Sequence, residues 1–338
     1  MIYGRELPGY PYDLNAKMTR CIVAGQRILF GRLLSRFSDH AMLPLDRTGA
    51  DANDAIYNLL MDDHPCLIAR FGSGEMETIL RGIDVRTPGN PLTKFARMCV
   101  GKSGPFWWDN SIRAGIVWIA GYFPETNPDL EKFVDRALED SRQIDLLGCW
   151  LAGEKRLKKT YFPNVVAVPL NDLEPFWYAR PWTKALEGKK VLVVHPSVDT
   201  IRMQYEKRKQ LFKNLDVLPD FKLFTYRSVQ SAIGLKTPYA TWLDALKHMT
   251  DDIAKLDFDV AIIGAGAYGM SIGAFVKREL GKKALHLGGI TQLLFGIKGR
   301  RWDVWEKYSK GLYNDAWVRP LDAERPRNFM QTEKGGYW

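Results

Sequence analysis

Cysteine is scarce in this chain: Cys21, Cys66, Cys99 and Cys149 are the only four among 338 residues, and no two form a CxxC pair. A zinc centre or a disulfide framework is therefore not expected, and a reducing cytoplasm is the natural compartment. Cys21, Cys66 and Cys149 lie in apolar runs, where a cysteine usually serves as a small buried hydrophobe. Long apolar runs are absent as well. With no stretch of about 18 such residues, no membrane-spanning helix is expected. The opening MIYGRELPGYPYDLN is polar and contains proline, unlike a secretory leader. There is no internal repeat, no low-complexity tract and no arginine-rich block or nucleic-acid module, which argues against nucleic acid as a partner.

What is present is a surplus of positive charge. The formal charge is +9, a bias toward anionic ligands such as nucleotide phosphates or an acidic membrane surface. Hydrophobic residues make up 46% and charged residues 26%, the proportions of an ordinary folded domain with ample core.

Apolar runs recur with helical stretches between them: Cys66 to Phe71, Ile116 to Ile119, Ile144 to Cys149, Val165 to Val168, Val191 to His195, Val260 to Ile263 and Ala284 to Leu287. Strands alternating with helices predict an α/β, Rossmann-like fold, a mainly parallel sheet with helices on both faces. Residues 1–60 read as an N-terminal helical extension and 61–338 as the main domain. Within it, the aromatic and proline-containing stretch around 171–188 reads as a linker or a loop over the site. Thr19 to Phe37 has helical periodicity with Arg27, Arg32 and Arg36 on its polar side. Such a helix could lie on an anionic inner-membrane surface, but packing on the domain is the simpler expectation.

Phe258 to Trp302 carries the most information. The run Val260 to Ile263 meets Gly264, Gly266 and Gly269, a helix follows, and a second strand ends in Gly288-Gly289. Strand-to-helix turns of this kind can bring backbone N–H groups to a phosphate. A dinucleotide or S-adenosylmethionine site predicts an acidic residue ending the second strand, to hold a ribose. His286, Leu287 and the two glycines stand there instead, so phosphate recognition of another kind is favoured.

Three further stretches could carry chemistry. In Ala69-Arg70-Phe71-Gly72-Ser73-Gly74-Glu75 a strand ends, a glycine-flanked turn follows, and Glu75 sits in a helix's first turn. There it could hold a divalent metal with diphosphate oxygens or simply favour the helix dipole. His195-Pro196-Ser197 leads into Asp199, Thr200 and Arg202. Ser197 or Asp199 could cap that helix, His195 could be a satisfied core histidine, and Arg202 suits phosphate. Lys298, Arg300 and Arg301 cluster around Gly296 and Gly299, where they could neutralise a leaving diphosphate.

Taken together, ARFGSGE, HPSVDTIRMQYEKR, IGLKTPYATW (Ile233 to Trp242), IGAGAYG, HLGGITQLLFGIKGRRW and the ERP…GGYW terminus resemble the GT-D-type glycosyltransferase fold. The resemblance runs from about residue 60 onward. It implies a nucleotide-sugar-dependent transferase acting in bacterial glycan or surface polysaccharide assembly, with a glycan or lipid-linked acceptor. A DxE motif after the first core strand is associated in that family with Mn²⁺ or Mg²⁺ and the sugar diphosphate. Glu75 matches its glutamate, whereas Ser73 replaces its aspartate, which weakens any metal site and keeps a non-catalytic binder in play. Under the resemblance Arg70, Gly72, Ser73, His195, Arg202, Gly264, Gly266, Gly269, Gly288, Gly289, Lys298 and Arg300 become substrate-binding candidates. Glu75, Glu324 and Asp199 are the catalytic candidates, with Glu324 or Asp199 serving as base toward the acceptor hydroxyl.

Overall fold

A computed structural model describes residues 13–30, 42–99, 102–327, 329–331 and 335–338. Seven strands form one wholly parallel sheet: β1 (Leu67–Ala69), β2 (Leu146–Cys149), β3 (Val166–Pro169), β4 (Lys190–His195), β5 (Lys222–Arg227), β6 (Val260–Ile263) and β7 (Lys283–His286). Their order across the sheet is β3-β2-β1-β7-β6-β4-β5. Buried on both faces, six of them are short apolar runs, which is why they stand out in the sequence. The fold is α/β and Rossmann-like.

Alternation along each strand divides the core into two layers. Leu67, Ala69, Leu192, Val194, Ala261 and Ile263 face a layer containing Ile79, Val134, Leu246 and Ile272. Ile68, Val191, Val193, Val260 and Ile262 face the opposite layer, with Ile56, Ile201, Leu293 and Phe295. Each fully buried side chain of this kind contributes roughly 1.5–3 kcal/mol. The helix Gly49–Met61 packs into the second layer through Ala52, Ile56 and Leu60. The 3-10 turns Leu170–Leu173, Pro175–Trp177 and Trp182–Leu186 pack beside it. Asn53 ties them in, donating to the Arg180 carbonyl at 2.8 Å and accepting from the Trp182 N–H at 2.8 Å. Leu173, Trp182, Ala185 and Leu186 of this stretch are buried in the second layer.

Two expectations need correction. Ile116–Ala120 is a π-helical turn that continues the helix Asn110–Gly115. Periodicity does not separate a short, wholly apolar run in a helix from one in a strand. β5 went unanticipated because KLFTYR is an edge strand, half-exposed along most of its length, and shows no continuous apolar run. The first helix spans Leu14–Phe30. Arg32 and Arg36 lie outside the described residues, as does the Arg27 side chain. No helix among the described residues is long and apolar enough to cross a membrane.

Helices leave the strands toward different faces. β1 and β6 are followed by Ser73–Arg86 and Tyr268–Arg278 in the first layer, β7 and β4 by Ile290–Leu294 and Val198–Glu206 in the second. Where neighbouring strands send their loops to opposite sides, a crevice opens above their carboxyl ends.

Candidate functional site

A cavity of about 180 Å³ occupies that crevice. The ends of β1, β4, β6 and β7 supply its floor through Arg70, His195, Gly264 and His286. Its walls come from the turn Gly72-Ser73 with Glu75, from Trp150, from the loop Ser228 to Leu235, and from Gly288, Gly289, Arg301, Tyr337 and Trp338.

Close backbone packing at the glycine turns makes the floor possible. A Cβ on Gly264 would lie 2.8 Å from the Gly288 carbonyl oxygen, from His195 Cδ2 and from Thr291 Cβ. Gly266 has φ +55°, a conformation glycine adopts without strain. A Cβ on Gly269 would collide with the His286 ring. Gly269 thus supports the site from beneath, and it does not line the cavity.

Arg70 lies over the Trp150 ring at 5.2 Å, and Trp150 is held in turn by its Nε1–H donating to the Phe71 carbonyl at 2.8 Å. Burial lowers the Arg70 pKa, the nearby Glu75 carboxylate opposes that, and Arg301 repels it. The Glu75 carboxylate folds back over Gly72, where any side chain would strike it. Arg301 is pinned by donating to the Tyr337 hydroxyl at 2.7 Å, while its backbone N–H bonds the Gly336 carbonyl at 3.0 Å. Two guanidinium groups therefore share one small cavity with a single lining carboxylate.

Both histidines of the floor are neutral. Burial pushes His195 down to about 3, and its Nδ1 accepts the Ser197 N–H at 3.0 Å, which leaves Nε2 to carry the proton. His286 is pushed to about 3 by burial and then by Arg70, and its buried Nδ1 has no hydrogen-bond partner among the described residues. Behind Trp150 lies Glu154, wholly buried, raised by burial to about 7, with Oε2 accepting the Trp150 N–H at 3.1 Å.

No family model matches the sequence, and no curated protein does either. Among solved structures, the chain is similar to a selenomethionine-substituted domain of unknown function, DUF1792. The match has 12% identity and a TM-score of 0.36, and it covers 82% of this chain and 91% of that one. A likeness that distant carries nothing about activity.

The structure brings together Arg70, Gly72, Ser73, Glu75, His195, Gly264, Gly266, Gly288 and Gly289. It places the other candidates elsewhere. Glu324 is buried and accepts the Asp199 N–H at 2.8 Å, the Thr200 N–H at 3.2 Å and the Thr200 hydroxyl. It also pairs with Arg227 at 3.3 Å. This is a cap on the helix Val198–Glu206 supplied from a distant part of the chain, and neither Ser197 nor Asp199 does that work with its side chain. Asp199 pairs instead with Arg227 at 2.6 Å and with Arg202 at 3.2 Å. Arg202 also donates to the Thr225 hydroxyl at 2.8 Å. Lys298 lies over the Tyr313 ring at 5.4 Å, and Arg300 lines a different cavity.

The donor set does not fit a metal held by protein ligands alone. Glu75 is the one acidic residue among those lining the cavity, and no group of three His, Cys, Asp or Glu among the described residues is placed to hold an ion. Hard divalent cations ordinarily take several oxygen ligands.

Proposed function

We propose that the chain transfers a glycosyl group from a nucleotide diphosphate sugar, with a UDP-sugar the first to try, to an acceptor hydroxyl in bacterial glycan or surface polysaccharide assembly. The observation that carries this reading is the pair of guanidinium groups, Arg70 and Arg301, in one cavity at the sheet's carboxyl edge. Two mutually repelling cations gain most from an anion that accepts from both, and a diphosphate has the charge and the oxygens to do so. The motif resemblance supplies the sugar; the cavity supplies the anion site.

In the reaction the bond between the anomeric carbon and the diphosphate oxygen breaks, and the acceptor oxygen bonds that carbon. Arg70 and Arg301 stabilise the charge that builds on the departing diphosphate. His195, neutral and carrying its proton on Nε2, adds a donor without adding charge. Glu75 is the lining carboxylate able to take the acceptor's proton; Glu324 and Asp199 are engaged in the helix cap and the ion pairs with Arg227 and Arg202. Trp150, Tyr337 and Trp338 offer aromatic faces to a base or a sugar ring.

Thermal-shift measurements with UDP-, GDP- and CDP-sugars, NAD and S-adenosylmethionine, each with and without Mn²⁺, test this directly. Stabilisation by one sugar nucleotide, followed by its turnover, is expected. Stabilisation by NAD or S-adenosylmethionine alone would overturn the reading. Glu75→Ala should then abolish turnover while keeping the fold; full activity in that variant removes Glu75 from the chemistry.

A further inference from the structure

A second cavity of about 210 Å³ lies against the first, and Trp338 lines both. Arg300, Arg319 and Arg325 line it, and Asp303 is the one acidic residue among them. The carboxylates here are already engaged: Arg319 pairs with Asp303 at 2.6 Å and Arg325 with Asp322 at 2.6 Å. Arg300 is different. Its guanidinium donates to the Met330 thioether at 2.9 Å and lies over the Phe329 ring at 5.9 Å. A thioether is a weak acceptor and a ring face takes no full hydrogen bond, so among the described residues most of the fork's donors stay unmet by protein groups.

The local chain geometry sends neighbouring residues to different places. Gly299 leads into the short helix Arg300–Asp303, so successive side chains point in different directions around the helix axis. Arg301 enters the first cavity and Arg300 the second. Backbone bonds fix both: Arg300 N–H to the Trp338 carbonyl at 3.4 Å and Arg301 N–H to the Gly336 carbonyl at 3.0 Å. Anything bound to Arg300 thus lies one indole ring from anything bound to Arg301.

We propose that this second cavity binds an oxyanion, a phosphate or a carboxylate, carried by the acceptor, with Arg300 as its primary contact. Three guanidiniums against the two carboxylates paired with them, Asp303 and Asp322, leave one net positive charge, on Arg300, whose planar fork matches a two-oxygen anion. Trp338 then separates donor and acceptor halves of one site and keeps their charges apart. The acceptor role rests on the transferase reading above; the anion site does not.

Isothermal titration with inorganic pyrophosphate and, separately, with glucuronate tests it on the full chain. Pyrophosphate is expected at two sites in the parent protein. Arg70→Gln should remove one, and Arg300→Gln should weaken the other about tenfold or more, as loss of a charge-assisted contact does. Arg300→Lys should recover part of that binding, because it keeps the charge and loses the fork. Glucuronate binding that depends on Arg300 would mark a carboxylate acceptor; pyrophosphate alone would mark a phosphate. Circular dichroism and the unfolding midpoint establish that each variant is folded. If Arg300→Gln binds both probes as the parent does, the second site is overturned, while sugar-nucleotide stabilisation in that variant keeps the transferase reading intact. Sugar-nucleotide failure with Arg300-dependent anion binding does the reverse.

Discussion

Replacing Glu324 by glutamine separates a structural carboxylate from a chemical one. Its two oxygens accept from the Asp199 N–H, the Thr200 N–H, the Thr200 hydroxyl and Arg227. Glutamine keeps one acceptor oxygen and presents an amide group in place of the other. That amide can donate to the Thr200 hydroxyl, which already accepts the Leu321 N–H, but it cannot accept from the Thr200 N–H. A buried donor left unmet costs about 1–3 kcal/mol, and losing a negative charge at a helix N-terminus costs about 0.3–1 kcal/mol more. The expected loss is therefore about 1.3–4 kcal/mol, or a fall of roughly 2–6 °C in unfolding midpoint for a chain of this size. Differential scanning fluorimetry reads the midpoint, and sugar-nucleotide hydrolysis reads the chemistry. Glu324→Gln should unfold early yet retain turnover below its midpoint. An unchanged midpoint with turnover abolished would refute this account and return Glu324 to the role of base.

Three other outcomes are expected. Glu154, raised by burial from 4.5 to about 7, holds its proton longer in the folded chain than in the unfolded one. Stability on its account is full below about pH 4.5 and falls as pH rises to about 7, by up to about 3 kcal/mol. Glu154→Gln should flatten that slope in urea unfolding at pH 5 and pH 8, and an identical pH difference in parent and variant would count against it. Gly264→Ala forces a methyl between Gly288, His195 and Thr291. A cost of about 1–3 kcal/mol and loss of sugar-nucleotide stabilisation should follow; normal ligand response would mean that the turn is not part of the binding surface. Ser73→Asp adds a second carboxylate beside Glu75 and should create stabilisation by Mn²⁺ in a thermal-shift titration, with no response arguing against a latent cation site there.

Most of the sheet was readable because a parallel strand buried on both faces is a short apolar run, and β1, β2, β3, β4, β6 and β7 all conform. β5 was not, since an edge strand needs no such run. IVWIA was assigned wrongly for the opposite reason: its apolar content is real, but the chain coils it. In the site, Arg70, Glu75, His195 and the glycine turns were visible because they sit at strand ends, where short-range sequence determines position. The choice between Arg300 and Arg301 was not, because it depends on the phase of a four-residue helix. Nothing local places Glu324 on a helix more than a hundred residues away, or Tyr337 and Trp338 in the cavity wall. Long-range hydrogen bonds do that, and GGYW carries no local signal for where its rings go. Trp150 and the Ser228 to Leu235 loop carried no signal beyond aromatic and small polar content.

β1 and β7 lie side by side although their registered residues Leu67 and Ala284 are far apart along the chain. β7, the middle strand of the sheet, therefore meets its neighbour β1 only after all the intervening polypeptide has been made, and closing so long a loop is slow. A chain made only as far as Trp150 has Arg70, Glu75 and Trp150 but not Arg301, so half of the cavity's cationic pair is missing. The cavity above the sheet is therefore complete only once β7 and the residues that follow it stand beside β1.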